Sequence, residues 1–336
     1  GAGEGSTIHD AEYEAQGAVI VETAQAVFDD AEMVLKVKEP QPVEVDMFHE
    51  GQILFTYLHL AAYPALAAGL AGRGIIAIAY ETVQMPDRSL PLLAPMSEIA
   101  GRMATQAGAY FLEKPQGGRG ILLGGVTGVA PGKVVVIGGG IAGSNAAAIA
   151  IGMQAEVVVL DTDLNKLRWL DSLYQGRVVT LNSNRLTLEE EVSGADLVIG
   201  TVLVPGASAP KLVTEEMVKS MKRGAVLVDV AIDQGGCFAT SRETTHSDPV
   251  YEVHEVLHYA VGNIPGAVPH TSTYALTNAT LRYAVVMAND GMAMALARHP
   301  ELTQGINMVG DKICHPAVAE SLGTSHVPAM EALAAL

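Results

Sequence analysis

The chain has 336 residues, a formal net charge of −17 at pH 7, 35 glycines, and 49% hydrophobic but only 5% aromatic residues. This length allows two domains, the composition is typical of helices around a parallel sheet, and the negative charge argues against nucleic acid or an anionic membrane surface as a partner. Two cysteines, Cys237 and Cys314, are too few for a disulfide framework, and no signal-like segment opens the chain, so we expect a cytoplasmic protein.

The first part of the chain alternates between extended and helical patterns. The patterns predict strands over residues 18–21, 33–37, 53–57 and 75–79. They predict helices over residues 10–16, 22–28 and 63–71. Repeated alternation of this kind predicts a parallel sheet with right-handed crossovers.

A long apolar-faced helix is predicted over residues 97–112, and the glycine-rich turn behind it indicates a connector between domains. Further strands are predicted over residues 134–137, 157–160, 177–181, 195–201 and 225–230, and the longest later helix over residues 275–297. We therefore expect an α/β fold of two Rossmann-like domains with parallel sheets, a long interdomain helix and an active site in the cleft between the domains. A substrate domain would comprise residues 1–91 and 270–336, and an NAD-binding domain residues 92–269.

A glycine-rich turn between the strand at 134–137 and a small-residue helix at 144–153 is the most informative segment. Gly138, Gly140 and Gly143 have the G-x-G-x-x-G spacing that lets a backbone approach a pyrophosphate at a helix N-terminus. Asp161 ends the next strand, 18 residues after Gly143, where a carboxylate accepts from ribose hydroxyls and repels a 2′-phosphate. The pattern predicts NAD as the cofactor, and the alternative is an ordinary βαβ crossover without a ligand.

Three polar residues follow predicted strands, at the sheet edge where ligands collect in parallel α/β folds. Lys38 could hold a carboxylate or be a solvated lysine. His59 could exchange a proton near neutral pH or be a half-buried histidine bonded to a backbone carbonyl. Asp233 precedes Gly235 and Gly236 and could form a turn or face the nicotinamide.

The segment from His254 to His258 matches H-E-x-x-H, which on a helix would place two zinc ligands on one face. We expect no metal there, because Pro249 and Gly262 bracket the segment and Val256 and its neighbours favour a strand. On a strand the two histidines would lie about 13 Å apart.

Eight segments together resemble the alanine dehydrogenases, within the group that includes the α subunit of nicotinamide nucleotide transhydrogenase. The matching segments are residues 31–40, 53–62, 77–83, 90–104, 134–147, 195–213, 224–236 and 262–278, and they run across nearly the whole chain. The resemblance implies reversible NAD-dependent oxidative deamination of L-alanine to pyruvate and ammonia by a homo-oligomer, commonly a hexamer, with no nucleic-acid or membrane partner.

The resemblance also implies a role for each site residue. Lys38 would bind the substrate, and His59 and Asp233 would be the acid/base groups. The implied cofactor positions are Ser97, Gly138, Gly140, Ile141, Ala142, Gly143, Asp161, Lys166, Ser183, Val202, Leu203, Val230, Ala231, Ile232, Asp233, Gly262, Asn263, Ile264 and Pro265. Transhydrogenase relatives generally lack the lysine and the histidine, so their presence favours the dehydrogenase.

The chain departs from the resemblance at its start. Family members begin with about three dozen further residues that carry an arginine for the substrate carboxylate, and Gly1 aligns after that segment. His270 also stands where many members have arginine. Two alternatives therefore remain: a truncated chain that binds NAD and oligomerises with little activity, and a transhydrogenase-like nucleotide-binding protein.

Overall fold

The computed structural model describes residues 1–202 and 209–335. Its strands are β1 Met33–Leu35, β2 Ile53–Thr56, β3 Ile76–Ala79, β4 Lys133–Ile137, β5 Glu156–Asp161, β6 Val179–Asn182, β7 Leu197–Gly200, β8 Val226–Asp229, β9 Val250–Val253, β10 Val256–Tyr259, β11 Ile306–Val309 and β12 Lys312–Ile313. Its helices are α1 Asp10–Ala15, α2 Ala24–Asp30, α3 Pro42–Val45, α4 Pro64–Ala71, α5 Ala94–Phe111, α6 Ile141–Gly152, α7 Leu164–Tyr174, α8 Arg185–Gly194, α9 Glu215–Ser220, α10 Pro269–Arg298, α11 Leu302–Gly305, α12 Pro316–Ser321 and α13 Ala329–Ala334. None of these helices is long and apolar enough to cross a membrane.

The described residues form two compact units. The first unit contains residues 1–96 and 268–335, and the second contains residues 97–202 and 209–267. Both are α/β units with parallel strands at the centre of the sheet, as the alternation of strands and helices predicts, but the sheet of the first unit also has two antiparallel pairings.

The sheet of the first unit has the order β1-β2-β3-β11-β12. Strands β1, β2 and β3 are parallel and in register, with Thr56 opposite Ala79. Strand β11 runs antiparallel to β3. Leu54, Phe55 and Ile78 are fully buried, so both faces of the central strands are covered and the strands are continuously apolar.

The sheet of the second unit has the order β6-β5-β4-β7-β8-β10-β9, and only β9 runs antiparallel to its neighbour. The chain moves from β4 outward to β6, then returns to the other side of β4 at β7. The strand order therefore reverses between β4 and β7, which is the switch point where such sheets bind nucleotides. Side-chain caps begin several of the flanking helices: Thr23 accepts from Ala26 at α2, and Asp163 accepts from Asn165 at α7.

Two predicted elements differ from the structure in more than the exact position of their ends. The strand predicted over residues 18–21 is not formed, and Val19 is 84% exposed, because this apolar run has no neighbouring strand to bury it. The helix predicted over residues 275–297 belongs to the longer α10, which is interrupted at Gly291, where φ is 78°. Glycine tolerates that left-handed φ, so the interruption lies where the sequence permits it.

Candidate functional site

The glycine turn of the second unit joins β4 to α6 at the switch point of the sheet. Gly138 has a φ of 106°, a conformation that favours glycine. A Cβ on Gly143 would overlap the carbonyl oxygen of Gly138 and come within 2.9 Å of Thr201 Oγ1. Thr201 donates to the carbonyl oxygens of Ile137 and Gly138, at 3.0 Å each, and so fixes the turn from β7.

The first turn of α6 presents backbone N–H groups directly after the glycine turn. A Cβ on Gly140, the residue before the helix, would meet nothing within 4 Å, and no side chain of the described residues caps α6. The amides of Ile141, Ala142 and Gly143 therefore keep the orphan N–H groups and the positive dipole end that suit a pyrophosphate. The glycine turn fits a dinucleotide.

Helix α5 packs against the same turn. A Cβ on Gly101 would overlap the carbonyl oxygen of Ala142, and Thr105 donates to the carbonyl oxygen of Ala146 at 2.8 Å. Ser97 lies one helical turn before Gly101 and is half-buried. Because Gly101 faces Ala142 and Thr105 bonds to Ala146, Ser97 lies on the part of α5 that leads toward the glycine turn.

Asp161 ends β5 beside the glycine turn, and its carboxylate is 8% exposed. Oδ2 accepts from the backbone N–H of Gly139 at 2.7 Å, and Oδ1 accepts from that of Asp163 at 2.8 Å. Lys166 Nζ lies 3.6 Å from Oδ2, and Ser183 donates its backbone N–H to the Asp161 carbonyl at 2.9 Å. The predicted ribose-binding acid is therefore held next to the glycines and joined to two other predicted cofactor residues.

Asp233 and the segment from Gly262 to Pro265 meet in the second unit. The carboxylate of Asp233 accepts from the backbone N–H of Asn263 at 3.2 and 3.3 Å, and Asn263 has a left-handed φ of 58°. Ile264 and Pro265 are buried behind it. Two predicted site segments 30 residues apart thus form one surface.

Asp229 organises the turn that carries Asp233, although sequence reasoning assigned it no role. It is 1% exposed and accepts from the backbone N–H groups of Ala231 and Cys237 and from the hydroxyl of Ser241, the last at 2.6 Å. Burial raises the pKa of Asp229, while these hydrogen bonds act in the opposite direction. The signal available in the sequence was an acid inside an apolar strand.

The remaining predicted cofactor residues follow the ends of β7 and β8. Val230 and Val202 are half-buried, Ala231 and Ile232 are buried, and Val230 donates its N–H to the carbonyl oxygen of Gly200 at 2.9 Å. Leu203 lies outside the described residues.

Lys38 follows β1 in the first unit, after the strand has ended at Leu35. Its Nζ lies 3.3 Å from Glu39 Oε2, its side chain is 27% exposed, and its carbonyl oxygen accepts from Thr56 Oγ1 at 3.1 Å. The neighbouring Lys36 pairs with Glu44 at 2.7 Å. Lys38 and Lys36 are thus each paired with a nearby carboxylate, and Lys38 lies beside the end of β2.

His59 follows β2 and is half-buried. Among the described residues its Nδ1 is buried without a hydrogen-bond partner. The ring stacks on Tyr57 at a centroid distance of 5.9 Å and an interplanar angle of 8°. Within the described part of the chain, Nδ1 therefore does not make the hydrogen bond to a backbone carbonyl that is expected if His59 has only a structural role.

Tyr57 and Glu81 are neighbours of His59 that sequence reasoning did not assign. Tyr57 donates its hydroxyl to the carbonyl oxygen of Leu92 at 2.6 Å. Burial raises the pKa of Tyr57 well above its ordinary value, and the negative charge of Glu81 adds to the shift. Glu81 is 3% exposed and lies two residues after β3, so it could have been found as a fourth polar residue close behind an apolar strand.

The zinc-like motif lies in a hairpin. His254 and Glu255 form the turn between β9 and β10, with φ of 52° and 60°, and His258 lies on β10. His254 contacts Glu215 at 2.8 Å, and His258 contacts Thr240 at 2.8 Å. Because the segment is not helical, the two histidines do not share the face that the motif requires. Residues 1–202 and 209–335 contain no cluster of three or more His, Cys, Asp or Glu side chains suited to a metal ion.

Two family models match the chain. The model described as "Alanine dehydrogenase/PNT, N-terminal domain" matches residues 1–100, and "Alanine dehydrogenase/PNT, C-terminal domain" matches residues 104–316. Together they span most of the chain.

Individual proteins give the same result. The alanine dehydrogenase of Methanococcus maripaludis is 57% identical over 334 residues, which cover 99% of this chain and 90% of that protein. That of Bacillus subtilis is 55% identical and is covered to 88%. The solved structure of an L-alanine dehydrogenase matches this chain with a TM-score of 0.87 and 51% identity. The match covers 96% of this chain and 89% of that chain. A transhydrogenase from Sinorhizobium meliloti has a TM-score of 0.75 and 27% identity, with 94% and 89% covered.

Proposed function

The chain belongs to the alanine dehydrogenase/PNT family, and from that premise we propose that it catalyses the reversible NAD-dependent oxidative deamination of L-alanine. One molecule each of L-alanine, NAD⁺ and water give pyruvate, ammonium, NADH and a proton. The observation that carries the proposal is the 57% identity to a named alanine dehydrogenase over 99% of the chain. The retention of Lys38 and His59 in the first unit and of the glycine turn in the second supports it.

The substrate is a small zwitterion, and we assign its recognition to Lys38. Lys38 lies beside the end of β2, and its Nζ is 3.3 Å from the carboxylate of the adjacent Glu39. A substrate carboxylate would take a similar place, and the charge-assisted contact would contribute about 1.5 to 3 kcal/mol.

Proton transfer is assigned to His59 and Asp233. The reaction removes a proton from the substrate amine and later from the water that adds to the imine carbon. His59 suits this traffic because Nδ1 has no partner among the described residues and because imidazole exchanges protons near neutral pH. Asp233, whose carboxylate is oriented by the Asn263 N–H, would bond the departing ammonia.

The cofactor is assigned to the second unit. NAD⁺, when bound, supplies the acceptor for the hydride that leaves the substrate α-carbon. The N–H groups of Ile141, Ala142 and Gly143 would hold its pyrophosphate, and Asp161 its ribose. The same carboxylate repels a 2′-phosphate, so we expect NAD to be preferred over NADP.

Transhydrogenation is the weaker candidate, because the transhydrogenase structure is 27% identical to the chain and the L-alanine dehydrogenase structure is 51% identical. An assay of NADH formation from L-alanine and NAD⁺ tests the proposal directly. No turnover with alanine, together with hydride exchange between nucleotides, would refute it. Turnover at the rate of a typical dehydrogenase would reject the low-activity alternative.

Variants of the first unit test the assigned roles. His59→Ala should lower kcat by about 10² to 10⁴ while leaving NADH affinity unchanged, since general acid–base catalysis contributes that much. Exposed His49→Ala is the matched control. Lys38→Met should lower kcat/KM for pyruvate by roughly 10- to 150-fold, whereas Lys36→Met, which breaks only the Glu44 pair, should not. Equal effects of Lys38→Met and Lys36→Met would contradict the assignment.

The cytoplasm is the proposed location, and a homo-oligomer, on the family pattern a hexamer, is the proposed assembly. The net charge of −17 and the family membership support these assignments. Light scattering coupled to gel filtration measures the mass in solution, and a monomer at micromolar concentration would exclude the assembly.

A further inference from the structure

His59 has a backbone conformation that is uncommon for a residue other than glycine. Its φ is 48°, which lies in the left-handed region. A residue held there carries backbone strain of the kind that is found at functional sites. Contacts from outside the turn would therefore help to hold it.

Glu81 supplies those contacts from the neighbouring strand. It lies in the 3-10 turn Tyr80–Thr82 directly after β3. Because β2 and β3 are parallel and Thr56 is opposite Ala79, His59 and Glu81 leave the sheet at the same edge. Glu81 is 3% exposed, so its carboxylate is removed from water.

The Glu81 carboxylate accepts from two consecutive backbone amides. Oε1 accepts the N–H of His59 at 2.7 Å, and both oxygens lie 3.2 Å from the N–H of Leu58. Charge-assisted hydrogen bonds to backbone N–H groups are stronger than neutral ones. This pair fixes the peptide plane that precedes the His59 Cα and therefore the direction in which the imidazole leaves the chain.

The imidazole itself is packed rather than hydrogen-bonded at Nδ1. It stacks on Tyr57, and Tyr57 is fixed by its bond to the Leu92 carbonyl oxygen. The His59 ring thus packs against one aromatic ring, and the Glu81 carboxylate fixes the backbone from which the His59 side chain extends.

We propose that Glu81 is a positioning residue for proton transfer: it holds the left-handed turn at His59 so that the imidazole meets the substrate amine. This inference rests on the proposed function, because it assumes that His59 carries the proton. A displacement of about 1 Å in a reacting group can cost about 10²-fold in rate. Loss of the acceptor should therefore lower kcat much more than it changes KM for alanine.

Three substitutions separate the position of the acceptor from its charge. Glu81→Gln keeps a carbonyl oxygen at the same reach and should retain kcat within about tenfold. Glu81→Asp keeps the charge but withdraws the acceptor by one methylene, and Glu81→Met removes it. These two should lower kcat by roughly 10²-fold, with KM for alanine within about threefold and NADH affinity unchanged.

Gln52→Met is the matched control for simple loss of a buried polar anchor. Gln52 is 1% exposed, precedes β2 at its other end, and donates to the carbonyl oxygens of Phe28 and Ala31 at 3.0 and 2.6 Å. Its substitution should lower thermal stability as Glu81→Met does but should keep kcat within about threefold.

Hydrogen exchange of the Leu58 and His59 amides provides a readout that does not depend on turnover. Both amides should exchange at least tenfold faster in Glu81→Met and at the wild-type rate in Gln52→Met. The proposal is overturned if Glu81→Asp keeps full kcat while Glu81→Gln loses it, or if Gln52→Met loses as much kcat as Glu81→Met. A wild-type chain without alanine turnover would instead refute the proposed function, and exchange would still report whether Glu81 holds the turn.

Discussion

Three glycines of one loop and helix, Gly140, Gly143 and Gly152, provide a test of the cofactor site because they differ in the space around them. A Cβ on Gly143 would overlap the Gly138 carbonyl oxygen and lie 2.9 Å from Thr201 Oγ1, whereas a Cβ on Gly140 or Gly152 would meet nothing within 4 Å. Gly140 borders the proposed pyrophosphate site, and Gly152 lies at the other end of α6. Alanine substitutions at the three positions therefore distinguish a clash within the protein from a clash with the cofactor.

Gly143→Ala should disturb both stability and binding. The atoms that the new methyl group meets are largely backbone, so the turn must move by roughly 1 Å, at a cost of about 1 to 3 kcal/mol for an overpacked site. For a unit of this size the melting temperature should fall by roughly 2 to 10 °C. Because the moved amides are those proposed to hold the pyrophosphate, NADH affinity should fall about 10²-fold, or about 2.7 kcal/mol.

The two other substitutions should each affect one property at most. Gly140→Ala should leave the melting temperature nearly unchanged but weaken NADH, since its Cβ occupies space beside the first turn of α6. Gly152→Ala should raise stability by up to about 1 kcal/mol through better helix propensity, with no effect on NADH. Differential scanning fluorimetry and NADH fluorescence titration measure both quantities. Wild-type affinity and melting temperature in Gly143→Ala would refute the reasoning.

Three further expectations concern charge and accessibility. Asp161→Ser should raise the ratio of kcat/KM for NADP to kcat/KM for NAD by at least tenfold, or about 1.4 kcal/mol, because it removes the like charge beside a 2′-phosphate. An unchanged ratio would contradict this. Burial lowers the pKa of His258 and of His315, so the unfolded chain binds protons at a higher pH than the folded chain does. The contribution of these two histidines to the free energy of unfolding is therefore complete above about pH 6.5 and is lost as the pH falls toward their pKa values in the folded state. His258→Asn should therefore give a shallower decrease of unfolding free energy between about pH 7 and pH 5 in urea titrations, and a slope equal to wild type would be the contrary result. Burial raises the pKa of Cys314 to about 11 and that of Cys237 well above its ordinary value, so iodoacetamide at neutral pH should leave both thiols unmodified by mass spectrometry until urea is added, and rapid native labelling would be inconsistent with their burial.

Local pattern predicted the α/β class and the nucleotide turn because both depend on residues close together in sequence. The β-branched run before Gly138, the small residues after Gly143 and the acid at Asp161 lie within 28 residues, and the structure forms β4, α6 and β5 from them. The apolar run at residues 18–21 shows where such reasoning is wrong: its β propensity is real, but a strand needs a partner, and none is present among the described residues.

The sequence by itself determined the family, the glycine turn and the candidate residues at the strand ends, since each is a property of residue type and spacing. Tertiary structure alone decided what surrounds them. Only the parallel pairing of β2 with β3 brings Glu81 to the backbone of His59, and only the folding of β8 against β10 brings Asn263 to Asp233. The physical reason is that these contacts join residues 22 and 30 positions apart, which become neighbours only when the strands are paired in register.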